Sequence, residues 1–440
     1  MVSNKNSISS TVASAVGLGA IIGAGIFVLS GTALALAGSE ALIAFVLVGI
    51  VALLVAFEIG ELGSIMPHAK GAGYSYAFKA FGSELGFITG MLLYFSYATS
   101  VSAIALGFGS YLSSVTGLSS SLAIPFAIAL IFILAIVNLF GIKRAAKTDS
   151  ALVVFKILIL SIFIAFAFIM AFYYGKFNPE NFAVPPGVGG IAAIFAASIA
   201  IFFAYSGFQV ISTFTSRVKG GAVAAAKAII ASVAISMLIY VLVVVSMILL
   251  VPASAFKITA DPLVFALQAS GAPRYLFLIV GIGALVATAS ATLAMILSSS
   301  RIAYQMGEDR LLPKIFRKYS SKRDVASNGV LISVVIAVIM LFSGNIYIIA
   351  AIANFGLLFS YLMASLALIH FRRTKAKATF RSPLYPYLPV IAIVAIIAFM
   401  YGMPVESLLI GVMLILSLIA VYYSLREIES KRVVRVKLFR

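Results

Sequence analysis

Long runs of apolar residues alternate with short polar connections along the whole chain. Twelve of these runs are close to or above the roughly 20 residues that a membrane-spanning helix needs. They lie at 9–37, 40–66, 84–113, 121–141, 149–174, 189–214, 224–251, 274–306, 327–343, 345–371, 385–402 and 405–425. The pattern therefore predicts an all-α membrane protein with 12 transmembrane helices.

The first apolar run is unusually rich in glycine. Its five glycines are Gly17, Gly19, Gly23, Gly25 and Gly31, and each costs a helix interior about 1 kcal/mol relative to alanine. Unwound backbone is tolerated in a membrane only where it lines a cavity. The run therefore predicts a discontinuous helix at a binding site. The alternative is helix packing, because Gly19 and Gly23 also form a Gly-x-x-x-Gly motif.

The sixth run contains a matching interruption. Residues 202–209 read Phe-Phe-Ala-Tyr-Ser-Gly-Phe-Gln in the middle of the span. The first and sixth spans correspond if spans 1–5 (9–174) and spans 6–10 (189–371) are two repeats. Spans 11 and 12 (385–425) and a basic tail (426–440) would follow within a single transport domain. An odd number of spans per repeat makes the second repeat inverted, and paired interruptions favour binding over packing.

The ends of broken helices carry opposite partial charges. A half-helix N-terminus offers N–H groups to an anion, and a C-terminal end offers carbonyl oxygens to a cation. A ligand with a carboxylate and an ammonium group matches both, which indicates an amino acid.

Composition and charge define the class of protein and its orientation. The chain is 63% hydrophobic and 10% charged, with a net charge of +18 and no cysteine, which excludes a soluble globular protein. If the spans alternate in direction, 27 of the 31 lysines and arginines fall on one side and three on the other. This asymmetry predicts that both termini are cytoplasmic. It also explains the positive net charge, which follows from the topology and from attraction to anionic lipid, and does not indicate nucleic-acid binding.

Lys156 is the remaining basic residue, assigned to neither side because it lies inside a span. An ammonium group at that depth costs about 2.5–3.5 kcal/mol even on the lenient insertion scale. Desolvation disfavours the charged form, so an inward-facing lysine can take up and release a proton in each transport cycle. The alternative is a side chain that reaches back to the cytoplasmic interface.

Four segments together resemble the amino acid–polyamine–organocation superfamily. They are Gly23-Ala-Gly-Ile-Phe27, Glu61-Leu-Gly-Ser-Ile-Met-Pro67 with Gly71-Ala-Gly-Tyr-Ser-Tyr76, Phe203-Ala-Tyr-Ser-Gly-Phe208, and Arg301 to Pro313. The resemblance implies the five-plus-five inverted-repeat fold called LeuT-like, with two further C-terminal helices. It also implies secondary transport of amino acids or polyamines.

The resemblance assigns roles to particular residues. The backbone of Ile22, Gly23, Ala24 and Gly25 would receive the substrate carboxylate. The sixth-span break would receive the amine, through the backbone of Phe203, Ala204, Tyr205, Ser206 and Gly207. Lys156 stands where proton-coupled members have a fifth-span lysine. It would contact the carbonyl near Gly19 and a hydroxyl group of Thr288 or Ser290.

Two departures from the family pattern concern the substrate preference and the cytoplasmic gate. Gln209 stands where many members have Asp or Glu, which puts a preference for cationic substrate side chains in doubt. Thr215 to Gly221 replaces the usual acidic residues and Asn-Pro, which puts the cytoplasmic gate in doubt.

Glu58 and Glu61 are three residues apart near the cytoplasmic end of the second span, so they share a helix face. We expect either a gate or ion pair with Arg301 or a loop lysine, or a solvated position at the interface. His68 and His370 have no carboxylate or cysteine at ligand spacing. The sequence thus predicts no metal, no cofactor and no catalytic site.

The sequence predicts a multi-pass, proton-coupled amino acid symporter of the cell membrane that works by alternating access. Its partners would be the amino acid, the proton and membrane lipids, which are anionic on the cytoplasmic side. An exchanger or polyamine carrier on the same fold is the close alternative. A channel is less expected because intramembrane charge is nearly limited to Lys156, and a transporter-derived sensor is less expected because the tail is short.

Overall fold

A computed structural model describes residues 8–69, 71, 73–140, 146–184, 187–320, 325–343 and 345–438. Helices joined by short loops account for most of this part of the chain. Extended backbone pairs there only as two isolated bridges, Ile8 with Val218 and Ser320 with Val325. The predicted all-α class is thus found in the described residues.

The first half of the chain forms seven α-helices. They are α1 (Ser10–Ile21), α2 (Ala24–Ala37), α3 (Ala41–Ile65), α4 (Gly73–Phe81), α5 (Ser83–Thr116), α6 (Ala123–Phe140) and α7 (Ala146–Phe168). A π-helical turn, Ile169–Tyr173, continues α7.

The second half of the chain forms eight α-helices. They are α8 (Gly190–Ala204), α9 (Gly221–Leu250), α10 (Pro262–Ala269), α11 (Arg274–Glu308), α12 (Ser327–Leu341), α13 (Ile346–Arg373), α14 (Tyr387–Tyr401) and α15 (Val405–Leu438). A 3₁₀ helix, Phe208–Arg217, follows α8 after a break. The helix of the last span extends into the predicted tail.

The apolar runs coincide with helices in every case. In the described part of the chain, nine helices are long and apolar enough to cross a membrane. Three shorter apolar helices, Ser10–Ile21, Ser327–Leu341 and Tyr387–Tyr401, lie in the other predicted spans. The protein is therefore a multi-pass membrane protein, and the count of twelve crossings stays a prediction. The short helices α4 and α10 lie in connections and were not predicted.

Contacts between helices of the first predicted repeat have counterparts between helices of the second. Helix α2 packs on α8, α3 on α9, and α5 on α11. Helix α7 contacts α1, α9 and α11, whereas α13 contacts α8, α3 and α5. Replacing each predicted span of 9–174 by its counterpart in 189–371 therefore reproduces these particular contacts. The repeat itself stays a prediction.

The two ends of the bundle differ in charge. The end at which α3, α11 and α13 finish and α9 starts carries Arg217, Lys227, Arg301 and Arg372; we call it the basic end. Here Tyr74 of α4 donates a 2.7 Å hydrogen bond to Asp309.

At the opposite end, Glu40 accepts a 2.6 Å hydrogen bond from the N–H of Gly190, at the start of α8. Both ends of the described bundle are thus tied by contacts between distant segments.

Candidate functional site

The first span breaks where its glycines are densest. Helix α1 ends at Ile21 and α2 begins at Ala24, with Ile22 and Gly23 between them. Gly23 is the N-cap of α2 and has no side chain that could cap it. The first N–H groups of a helix have no partner inside the helix, so α2 presents uncapped N–H groups in the middle of the bundle.

The sixth span breaks in the same layer. Helix α8 ends at Ala204, and the chain resumes as a 3₁₀ helix at Phe208. Gly207 has φ of +112°, and a Cβ atom there would lie 2.6 Å from the carbonyl oxygen of Ala20. Only glycine fits this conformation and this close approach. The Ser206 hydroxyl group turns back and donates to the Phe203 carbonyl at 2.8 Å.

The two breaks lie directly against each other. A Cβ atom on Gly25 would overlap the Cα atom of Ala204, so the start of α2 touches the end of α8 backbone to backbone. The Tyr240 hydroxyl of α9 lies 2.7 Å from the Ile21 carbonyl and 3.0 Å from the Ala204 carbonyl. One buried hydroxyl group, whose single proton the two carbonyls share, therefore lies at the carbonyl ends of both α1 and α8.

Tyr240 was missed by the sequence analysis. It is the only tyrosine of α9 and lies in the middle of an apolar span, which is the signal that could have revealed it. Its ring contacts that of Tyr205 edge to face at 5.1 Å. The Tyr205 hydroxyl group in turn donates to the Phe45 carbonyl of α3 at 3.2 Å.

Gln209 connects the sixth-span break to two other helices. Its Oε1 atom accepts hydrogen bonds from the Tyr361 hydroxyl at 2.8 Å and from the Gly207 N–H at 3.3 Å. Its Nε2 group donates to the Tyr97 hydroxyl oxygen at 2.7 Å. The position where many family members have an acid thus carries a buried, uncharged network that joins α5 and α13 to the break.

Lys156 points into the bundle. Its side chain is only 3% exposed, and Nζ donates to the Gly19 carbonyl of α1 at 3.3 Å. Gly19 allows this approach because a Cβ atom there would overlap the side chain of Val153 on α7.

The two hydroxyl candidates lie on α11, which packs on α7. Thr288 donates to the Ala284 carbonyl at 2.7 Å, and Ser290 donates to the Ala287 carbonyl at 3.0 Å. Their contact with Lys156 stays a prediction, whereas the alternative of a lysine at the cytoplasmic interface does not agree with the burial.

Glu61 has a different partner from the one expected. Its cation is Arg372 at the end of α13, with Nε 2.6 Å from Oε1 and Nη2 2.8 Å from Oε2. The N–H and hydroxyl groups of Ser382 also donate to Oε2, at 2.7 and 2.6 Å. Arg301 is exposed on α11. The expected pairing failed because Arg372 comes from a helix that sequence spacing does not connect to Glu61.

Glu58 is fully buried, as is Glu61, so the solvated alternative is wrong for both. The Ser365 hydroxyl of α13 lies 2.5 Å from Glu58 Oε2. Glu58 therefore contacts the same helix as Glu61, about one turn deeper in the bundle.

Comparison with known proteins agrees with this geometry. The sequence profile of the amino acid permease family matches residues 13–428. The chain belongs to the amino acid permease family. That family is part of the amino acid–polyamine–organocation superfamily.

Several relatives match this permease over most of their length. It is 31% identical to the methylthioribose transporter of Bacillus subtilis, over 88% of this chain and 86% of that protein. It is 29% identical to the branched-chain amino acid permease of Lactococcus lactis, over 95% and 94%. It is also 29% identical to cationic amino acid transporter 7 of Arabidopsis thaliana, over 81% of this chain and 64% of that protein.

The contact between the breaks predicts different effects for two neighbouring glycines. Gly25→Ala would place Cβ against the backbone of Ala204, and overpacking of this kind costs about 1–3 kcal/mol. At Gly23 the nearest atom to a new Cβ is Ala291 Cβ at 3.4 Å, an ordinary contact. We expect the Gly25→Ala permease to melt at a lower temperature in detergent than the Gly23→Ala control. Equal melting temperatures would contradict the backbone contact.

The Tyr240 hydroxyl group predicts a second measurable effect. Tyr240→Phe removes this donor from the Ala204 carbonyl, whereas the Ile21 carbonyl keeps the Gly23 N–H at 2.6 Å. An unsatisfied buried group costs about 1–3 kcal/mol. Tyr205→Phe is the matched control, because that hydroxyl group serves a single carbonyl. We expect Tyr240→Phe to lower both the melting temperature and substrate affinity more than Tyr205→Phe does. The reverse order would show that Tyr240 does not hold the two breaks.

Proposed function

We propose that this permease is a secondary active transporter that carries amino acids across the cell membrane by proton-coupled symport. The observation that carries the proposal is the meeting of the two helix breaks at Gly25 and Ala204. At that point one helix begins with uncapped N–H groups and two helices end in carbonyls. These groups form a positive and a negative pole of backbone atoms within one layer of the bundle.

Each pole matches one charged group of an amino acid. The N–H groups from Ile22 to Gly25 would receive the carboxylate, as anions bind at helix N-termini. Those of Ile22 and Gly23 donate to the Leu18 and Ile21 carbonyls here, at 2.6 Å each, and would exchange these partners for the carboxylate. The carbonyls of the sixth-span break, from Phe203 to Gly207, would receive the ammonium group. Because backbone atoms supply both poles, recognition of the common part of an amino acid does not depend on its side chain.

The uncharged network around Gln209 favours an amino acid over a polyamine. A polyamine carries several cations and no carboxylate, so it would leave the N–H pole of α2 without a partner. It would also bring positive charge to Gln209, Tyr97 and Tyr361, none of which is an acid. The branched-chain substrate named for the Lactococcus relative is in line with a neutral side chain.

The contact pattern of the helices supports alternating access. Exchange of the two five-span units reproduces the helix contacts described above, as expected of inverted repeats that move against each other around a central site. The excess of lysine and arginine at the basic end supports an orientation with both termini in the cytoplasm. Anionic lipid of the cytoplasmic leaflet would bind that end.

Lys156 is the residue that we propose for proton coupling. Its amine contacts the carbonyl of Gly19, six residues before Gly25 in the same broken span. Movement of α1 would therefore change the surroundings of the amine. A lysine that loses its proton in one conformation and regains it in the other carries one proton per cycle.

The first test is uptake into proteoliposomes that contain the purified permease. A panel of labelled amino acids, a polyamine and methylthioribose is offered with and without an inward proton gradient. We expect accumulation of neutral amino acids against their gradient only when the proton gradient is present. Exchange with preloaded substrate but no net accumulation would show an exchanger. Preferential uptake of methylthioribose would overturn the assignment of the substrate.

The second test addresses Lys156 directly. Lys156→Ala and Lys156→Arg should both abolish proton-driven accumulation, because a guanidinium group does not deprotonate at accessible pH. Lys257→Ala, at an exposed lysine of a connecting loop, is the matched control and should accumulate substrate normally. If both Lys156 variants still concentrate substrate under a proton gradient, Lys156 is not the coupling residue.

A further inference from the structure

Glu58 is a buried acid for which the described residues supply no cation. Its side chain is 0% exposed. Its Oε2 atom has the Ser365 hydroxyl as its hydrogen-bond partner, and its Oε1 atom has none among the described residues. A carboxylate with so little compensation is costly to bury, because charges inside proteins need a partner charge or several hydrogen bonds.

Glu61 shows what a compensated acid looks like in the same helix. Arg372 pairs with both of its oxygens, and Ser382 donates two hydrogen bonds. Glu58 and Glu61 are thus equally buried but differ in their surroundings. The arrangement suits an ionised Glu61 and a neutral Glu58.

The hydrogen bonds around Ser365 also favour a neutral Glu58. The Ser365 hydroxyl group has one proton and two acceptors within reach, Glu58 Oε2 at 2.5 Å and the Tyr361 carbonyl at 3.2 Å. If Glu58 is ionised, only one of the two can accept that proton. If Glu58 is a carboxylic acid, it donates to Ser365 and Ser365 donates to Tyr361, so both contacts are hydrogen bonds.

We infer that Glu58 is a second proton-binding site of the permease, neutral while α3 and α13 are packed as they are here. The proton on Glu58 would be lost to water when the contact between Glu58 and Ser365 opens. The cluster of Glu61, Arg372 and Ser382 lies between Glu58 and the basic end, so proton exchange would require that cluster to separate. The inference goes beyond the proposed role of Lys156, which lies on α7 and contacts α1.

In the part of the chain that the structure describes, no other charged group on the helices around Glu58 supplies the missing compensation. Helix α8 has no ionisable residue from Gly190 to Ala204. Lys227 of α9, Arg217 of the 3₁₀ helix, and Tyr387 and Tyr401 of α14 are exposed. From α13, Arg372 is engaged by Glu61.

The site also has a path to the substrate region. The Tyr361 carbonyl accepts from Ser365, the partner of Glu58. The Tyr361 hydroxyl group donates to Gln209, and Gln209 accepts the N–H of Gly207 in the sixth-span break. Protonation of Glu58 would therefore stabilise the position of α13 that holds this break. This makes the site a candidate for linking proton occupancy to substrate occupancy.

Infrared spectroscopy of the reconstituted permease tests the protonation state without reference to transport. A protonated carboxylic acid and a carboxylate absorb at well-separated frequencies. The difference spectrum of wild type and Glu58→Gln at neutral pH should show loss of a protonated-acid band. Loss of carboxylate bands instead would overturn the inference, whether the compensating cation were sodium or another ion. Failure in this test would leave the proposed amino acid symport unaffected.

Two further variants keep the test decisive. Glu61→Gln should remove carboxylate bands and leave the protonated-acid band in place. Ser365→Ala removes the hydrogen-bond acceptor of the acid, so the same band should move to higher frequency without disappearing. If Glu58→Gln does not fold, this shift still identifies the acid. An unchanged band in Ser365→Ala would show that the protonated group is elsewhere.

Thermal stability gives an independent readout. Glutamine mimics the neutral acid in the folded and the unfolded protein, whereas a Glu58 that is neutral when folded loses its proton on unfolding unless the pH is acidic. Glu58→Gln should therefore match the wild-type melting temperature at acidic pH and melt above wild type at neutral and higher pH. Glu61→Gln leaves Arg372 without its partner and should melt at a lower temperature at every pH. A Glu58→Gln permease as unstable as Glu61→Gln would indicate that Glu58 is ionised in the wild type.

Discussion

The need to satisfy backbone hydrogen bonds in an apolar bundle governs the centre of this permease. A break in a transmembrane helix frees N–H and C=O groups that lipid cannot compensate. Here the freed groups obtain partners from specific side chains. Tyr240 serves the carbonyls of Ile21 and Ala204, and Gln209 accepts the N–H of Gly207. The breaks are thus stable because distant helices compensate them.

The same constraint determines where charge is found. Ionisable side chains are expensive inside a membrane protein and are retained where they have a partner or a function. Glu61 contacts Arg372 and Ser382, whereas Glu58 lies against Ser365 of α13 and Lys156 donates to the Gly19 carbonyl of α1. In the predicted repeat, these contacts join span 5 to span 1 and span 2 to span 10. Charge is therefore concentrated at contacts between helices that alternating access would move.

The sequence predicted the parts of the structure that are encoded locally. Apolar length predicted the helices, and the glycines from Gly17 to Gly31 predicted the break at Ile22 and Gly23. It did not predict partners from distant segments. Tyr240 and the Ile21 carbonyl are 219 residues apart, and Arg372 and Glu61 are 311 residues apart. A hydropathy pattern contains no information about such pairs, because it describes the faces of a helix and not which helix lies opposite.

Tyr240 also explains how a closed contact between the breaks is compatible with binding. A carbonyl oxygen has two lone pairs, and the hydroxyl group uses one lone pair of the Ala204 carbonyl. The other stays available to an ammonium group. The tyrosine fixes the direction of the carbonyl before the substrate arrives, so less ordering is needed on binding. A cationic side chain at this place would have occupied the carbonyl pole that the proposed substrate needs. A neutral hydroxyl group leaves the negative partial charge of the carbonyl oxygen available to the ammonium group.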